Sequence, residues 1–277
     1  QADHPEVSMA LGFVSGILIY IFIFLFGSQV LRGILEEKTG RIVEIIVSSV
    51  KPFQLMMGKI VGVGLVGLTQ FLIWIVLTFA ILGAVRAGAP ELFRFTPDEQ
   101  VHITSSQILN PQELQAQRES VQQFNTPAGQ IMKGLSAINF PVMIVAFIFF
   151  FLGGFLLYGA LFAAIGAAVD NEADTQQFML PVTIPLLFAF IMAQMVMSNP
   201  SGPVAFWLSI IPLTSPVIMM VRIPFGVPYA EVLLSAGLLI AGFVFTTWMA
   251  SKIYRTGILM YGKKASYAEL WKWIRHR

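Results

Sequence analysis

The chain has no cysteine, so it carries no disulfide framework and no thiolate metal site, and its redox compartment cannot be read from thiols. Its three histidines, His4, His102 and His276, all lie outside the long apolar runs, which removes the usual titratable base from the membrane interior. Charge is scarce as well. Only 12% of residues are charged against 56% hydrophobic, a balance that does not suit a soluble globular domain of 277 residues. No Gly-x-x-x-x-Gly-Lys-Ser/Thr phosphate loop is present, because neither Gly58-Lys59 nor Gly262-Lys263 is followed by a hydroxyl residue, so the chain does not bind ATP by that route. Ionisable groups are missing from the apolar interior, which disfavours a proton-relay pump. Any driving energy must then come from elsewhere.

What remains is hydrophobicity arranged in runs. No charge occurs between Glu6 and Arg32 or between Lys59 and Arg86, and each stretch exceeds the roughly 20 apolar residues of a bilayer-crossing helix. With three further runs, the chain reads as an all-α polytopic membrane protein with transmembrane helices at about 8–31, 53–85, 139–168, 178–198 and 230–253. Residues 86–137 turn to Pro, Gln, Ser and Glu and read as an aqueous excursion. Within it, Asn110-Pro-Gln-Glu113 predicts a short amphipathic helix from Pro111 to Phe124. Residues 204–228 are apolar but cut by Pro212, Pro216, Pro224 and Pro228 into pieces too short to cross. That pattern predicts a re-entrant helical hairpin, tolerated only where its backbone packs on protein or lines a wet cavity; two kinked spans are the alternative. The basic tail 255–277, with Tyr267, Trp271 and Trp273, predicts an interfacial amphipathic helix.

One dense charge cluster is held between two runs, from Arg32 to Lys59. At about 100° per residue, Glu37, Arg41, Glu44 and Ser48 fall on one stripe of a helix, with Ile34, Ile42, Val43, Ile45 and Ile46 around the rest. This is the pattern of a helix lying in an interface. Arg32 with Glu36 and Glu37 with Arg41 are spaced i,i+4, each pair contributing about 0.2–0.5 kcal/mol. Gly40 is the weak point of that helix, and Pro52 suits the first turn of the next. If the cluster is cytoplasmic, Arg32, Lys38, Arg41, Lys51, Lys59 and the basic residues from Lys252 to Arg277 share that side. The other side keeps only Arg86, Arg94, Arg118, Lys133 and Arg222. The positive-inside bias then predicts a multi-pass protein of the cell membrane with its N-terminus outside and its C-terminus cytoplasmic. Because the sequence starts at Gln1 without a signal peptide, an upstream span is expected to precede it.

Few residues suggest chemistry. Glu36-Glu37-Lys-Thr-Gly-Arg41 matches the Glu-Glu-x-x-x-Arg form of intramembrane prenyl-protein proteases, a remote reading without histidines in the spans. Ser15 and Ser28 lack an intramembrane base, so no catalytic residue and no metal ligand is assigned. Gln70, Asn139 and Gln194 are the polar residues nearest to a translocation path, although ordinary hydrogen bonding accounts for them as well. Gly12 with Gly16 and Gly58 with Gly62 permit close helix approach, within the chain or to another subunit.

The stretch from Ile34 to Lys59 resembles the cytoplasmic loop of type-two ATP-binding-cassette permeases, in particular the sodium-export permease branch. The segment Ala168-Val-Asp-Asn-Glu-Ala-Asp-Thr-Gln-Gln-Phe-Met-Leu-Pro181 resembles that family's second cytoplasmic turn. The resemblance implies that residues 34–48 form a coupling helix seated on a separate cytoplasmic ATPase subunit, with Glu36, Glu37, Arg41, Ile42, Glu44, Ile45, Ile46 and Ser48 as its contacts. It implies that 204–228 is an extracytoplasmic hairpin and that two permease chains, identical or homologous, pair in the bilayer. ATP and Mg would reside on the partner, with no cofactor in this chain and no nucleic acid involved. Sodium is the substrate that the resemblance suggests, with lipid, drug or peptide as the others. Members of this branch begin with a further span and a large extracytoplasmic domain, which this sequence lacks. A non-transporting membrane scaffold that recruits an ATPase is the rival reading.

Overall fold

The computed structural model describes residues 5–47, 49–88, 139–260 and 266–275, and among these every regular element is a helix. In order they are α1 (Pro5–Thr39), α2 (Ile42–Val47), α3 (Pro52–Gly88), α4 (Phe140–Ala168), α5 (Glu172–Ser198), α6 (Pro203–Ile210), α7 (Ser215–Arg222), a 3-10 turn (Ile223–Phe225), α8 (Tyr229–Gly257) and α9 (Tyr267–Arg275). Five of them, α1, α3, α4, α5 and α8, are long and apolar enough to cross a membrane. The expected excursion lies outside the described residues from residue 89 to 138, and with it the helix expected from Pro111 to Phe124.

α1 and α5 run furthest past their expected ends. α1 continues to Thr39, carrying Gly33 in its interior, where the Gly33 carbonyl accepts from Lys59, and stops only at Gly40. At about 1.5 Å per residue its length is about 52 Å, well over a hydrocarbon core of about 30 Å, so the charged last turns can stand clear of the lipid. α5 begins at Glu172 rather than near 178. Asn171 caps it, its Oδ1 accepting the Asp174 amide at 2.8 Å, and Glu172 and Asp174 face the positive end of the helix dipole.

Among the described residues, those of 9–68 and from 139 onward belong to one compact unit, and those of 5–8 and 69–88 to a second. In the second, the part of α3 from Thr69 onward exposes Trp74, Val76 and Phe79. The first unit is built around α4, whose Phe150, Phe155, Tyr158 and Phe162 are buried. α8, α7 and α5 pack against it, and Ile19, Ile23, Leu31 and Ile34 of α1 complete the core. Rings join the outer helices, Phe22 of α1 standing edge-on to Phe151 of α4 at 5.8 Å and Tyr20 stacking on Phe190 of α5 at 5.0 Å.

Small residues set the closest crossings. A Cβ on Gly12 would meet the Val221 carbonyl of α7 at 2.5 Å, and one on Gly166 would meet the Leu31 carbonyl at 2.7 Å, whereas Gly58 and Gly62 have nothing within 4 Å. The Gly12–Gly16 pair is therefore consumed by packing inside the chain. Gly12→Leu is expected to cost about 1–3 kcal/mol by overpacking, while Gly58→Leu is nearly neutral. Thermal unfolding of the detergent-solubilised chain, followed by fluorescence-detected gel filtration, compares the two.

The Pro-cut segment forms two short helices, neither able to cross, and every residue of α7 is buried. Breaking the helices leaves backbone carbonyls unpaired, and polar side chains answer them. Thr214 Oγ1 donates to the Leu208 carbonyl at 2.5 Å, Ser235 Oγ of α8 to the Ser209 carbonyl at 2.5 Å, and the Tyr158 hydroxyl of α4 to the Leu213 carbonyl at 2.6 Å. Arg222, 3% exposed, donates from Nε to the Pro200 carbonyl at 2.8 Å, from one terminal nitrogen to Ser209 Oγ at 2.6 Å, and from the other to Glu231 Oε2 at 2.8 Å. At the other end of α8, the amphipathic α9 folds back. Lys252 Nζ donates to the Ile274 carbonyl at 2.8 Å, and the Tyr267 ring rests 4.8 Å from that of Phe178.

Candidate docking face

The charged break folds differently from one interfacial helix over 34–48. α1 ends at Thr39, and Arg41 takes a left-handed backbone conformation with φ of 55°. A residue with a Cβ pays roughly 1–2 kcal/mol there. The turn is closed by the Gly40 amide donating to the Glu36 carbonyl at 2.9 Å and the Arg41 amide to the Lys38 carbonyl at 3.0 Å. Only Ile42–Val47 then forms a separate helix, α2, on a new axis. The stripe of Glu37, Arg41, Glu44 and Ser48 is thereby split: Glu37 belongs to α1, Arg41 to the turn and Glu44 to α2. The side chain of Glu44 and the whole of Ser48 lie outside the described residues.

Glu37 does not make its expected contact to Arg41. Its carboxylate turns to Lys59 at the start of α3, with Oε1 at 2.6 Å from Nζ, and the same ammonium donates to the Gly33 carbonyl at 2.7 Å. A pair spanning two helices outcompetes an i,i+4 pair on one helix because α1 ends before Arg41 can come round. Glu36 and Arg41 are exposed. The apolar residues of α2 divide sharply: Val43 is fully buried and anchors the helix, Ile46 is half-buried, and Ile42 and Ile45 are 49% and 76% exposed. Val50 and Phe53, at 37% and 48%, continue the exposed apolar surface toward α3. Exposed Glu36, Arg41 and Lys51 supply charge around it. An apolar centre with a charged rim is the anatomy of a protein-binding patch.

Lys38 was counted in the sequence only as one more positive charge on its side. It is 1% exposed. Its Nζ donates to the carbonyls of Ala167 at 2.7 Å and Val169 at 3.2 Å and lies 2.7 Å from Asp170 Oδ1. No periodicity could have paired it with a turn so distant in the chain.

Each of the three polar residues named for a path is placed by its own helix. Gln70 and Gln194 are exposed on α3 and α5, and Asn139 is the N-cap of α4, accepting the Val142 amide at 3.5 Å.

Five helices long and apolar enough to cross a membrane, a broken hairpin with α7 buried and an anchored apolar helix in a charged break are the architecture of a multi-pass membrane domain. The match to the family described as ABC-2 family transporter protein covers residues 2–252, and the chain belongs to that family. It is 26% identical over 276 residues to the uncharacterized protein YhaP of Bacillus subtilis, covering 99% of this chain and 57% of that protein. It is 24% identical over 254 residues to the uncharacterized protein MJ1024 of Methanocaldococcus jannaschii, covering 91% of this chain and 50% of that protein. The chain thus spans about half the length of the curated relatives it matches. No solved structure matches it.

Proposed function

We propose that this chain is the membrane part of an ATP-driven exporter and that α2 seats a cytoplasmic ATPase subunit. The observation that carries the proposal is Ile42 and Ile45 standing exposed on a short helix whose Val43 is fully buried, between two membrane-crossing helices. A partner pressing on the isoleucines acts on a helix held at its start by the Arg41 turn and closed at its end by the Ser49 and Val50 amides, each donating to the Ile46 carbonyl at 2.9 Å. The Glu37–Lys59–Gly33 tie makes the ends of α1 and α3 move together. Exposed ion pairs at the rim contribute about 0–1 kcal/mol each, so apolar contact dominates the docking. Closure of an ATPase dimer would drive α2 and tilt α1 with α3, while a second permease chain, identical or homologous, completes the conduit.

Sodium is the first substrate to assay, on the resemblance of residues 34–59 to sodium-export permeases. The test reconstitutes the permease with its co-purified ATPase in proteoliposomes and follows radiolabelled sodium, together with fluorescent lipid, drug and peptide probes. ATP-dependent flux of any of them supports export. Stable ATPase binding with no flux across that panel favours the scaffold instead.

A further inference from the structure

We infer that Lys38 is a positioning residue that carries the docking stroke from α2 into α4 and α5, an inference that rests on α2 being the ATPase seat. Two consecutive residues at the end of α1 diverge to different helices: Glu37 to Lys59 on α3, and Lys38 to the end of α4. The ammonium donates to two carbonyls, of Ala167 and Val169, and is ion-paired with the Asp170 carboxylate at 2.7 Å. Ala167 lies in the last turn of α4, where carbonyls lack helical partners and the helix dipole is negative, so a cation is favoured there. Asp170 leads directly into Asn171, the cap of α5.

The backbone of the same residue faces the other way. Its carbonyl accepts the Arg41 amide at 3.0 Å and so closes the left-handed turn that aims α2. One residue therefore holds the docking helix through its main chain and the α4–α5 turn through its side chain. Beyond that turn, α5 runs to Ser198, and Pro200 just past it accepts from Arg222 of the buried hairpin. A contiguous route of helix and hydrogen bond joins the docking face to the far hairpin. A buried pair serving stability alone could sit anywhere in the core; this one sits where the docking turn meets the second turn of the same side.

The test uses the purified permease–ATPase complex in lipid nanodiscs. The sequence has no cysteine, so Ser201→Cys, at an exposed position of the α5–α6 turn beside Pro200, gives one maleimide target in it, read apart from the ATPase after the subunits are separated on a denaturing gel. ADP–vanadate trapping is expected to change its labelling rate. In Lys38→Met the ATPase should still co-purify and hydrolyse ATP, while the trapping-induced change shrinks by about fivefold or more, the lower end of typical coupling energies. Lys38→Arg should restore most of it. Should Lys38→Met fail to accumulate, Asp170→Asn, which leaves both carbonyls engaged, carries the same test with a smaller loss. An unaltered response in these variants overturns the inference. So does loss of the ATPase from Lys38→Met alone, since the side chain would then serve docking rather than transmission. An ATPase that does not bind the wild-type complex sinks the docking reading instead.

Discussion

Replacing both Ile42 and Ile45 by aspartate is expected to strip the ATPase subunit from the permease while leaving the membrane fold intact. Complete burial of an isoleucine side chain is worth about 1.5–3 kcal/mol. Ile42 and Ile45 are 49% and 76% exposed, so a partner can still gain roughly that share, about 2–4 kcal/mol for the two together. At 1.4 kcal/mol per decade this is about a 30- to 700-fold loss of affinity, before adding the cost of burying two carboxylates. Arg41→Ala at the rim should cost less than about 1 kcal/mol, because it is exposed and screened. Titrating the purified ATPase onto nanodisc-held permease by interferometry measures both. Equal affinities for the wild-type and the double variant would move the docking face elsewhere.

Arg222→Met should be the most damaging single change to the fold. It leaves the Pro200 carbonyl, Ser209 Oγ and Glu231 Oε2 without their shared donor in the hairpin. Breaking a buried pair from one side costs about 3–5 kcal/mol, and Glu231, 26% exposed and able to rehydrate, holds the loss near the lower end. Against a total stability of about 5–15 kcal/mol, that is enough to depress accumulation in the membrane several-fold. Glu231→Gln should cost only about 1 kcal/mol, since the amide oxygen still accepts from Arg222. Thermal unfolding in detergent ranks the two. If Glu231→Gln is as damaging as Arg222→Met, the arginine acts through that one carboxylate rather than by tying the broken backbone.

The five membrane-crossing helices were legible because length and apolarity are properties of a contiguous run. The two short helices of the hairpin were legible because Pro212, Pro216, Pro224 and Pro228 punctuate an otherwise apolar segment. The docking face was only half legible. Gly40 marked the weak point of the charged break, but a 100° projection assumes one axis, and the left-handed turn at Arg41 provides two. The single axis put Glu37 on one stripe with Arg41, whereas its carboxylate pairs with Lys59, and it hid that Ile42 and Ile45 are exposed while Val43 is buried. Long-range pairings were not legible at all. Lys38 with the α4–α5 turn and Arg222 with Pro200 and Glu231 unite segments whose spacing carries no period. Each was visible only as a charge to be counted on one side of a membrane.

Sidedness tests the account most directly. Lys38 is too buried to report it, but Ser49 beside α2 and Ser201 in the α5–α6 turn are exposed, and serine to cysteine is nearly isosteric. With single-cysteine chains and a membrane-impermeant maleimide, Ser201→Cys should react in intact cells, and Ser49→Cys only after the membrane is opened. Labelling of Ser49→Cys in intact cells, with Ser201→Cys protected, would place the α2 face outside the cell, where no ATPase could reach it.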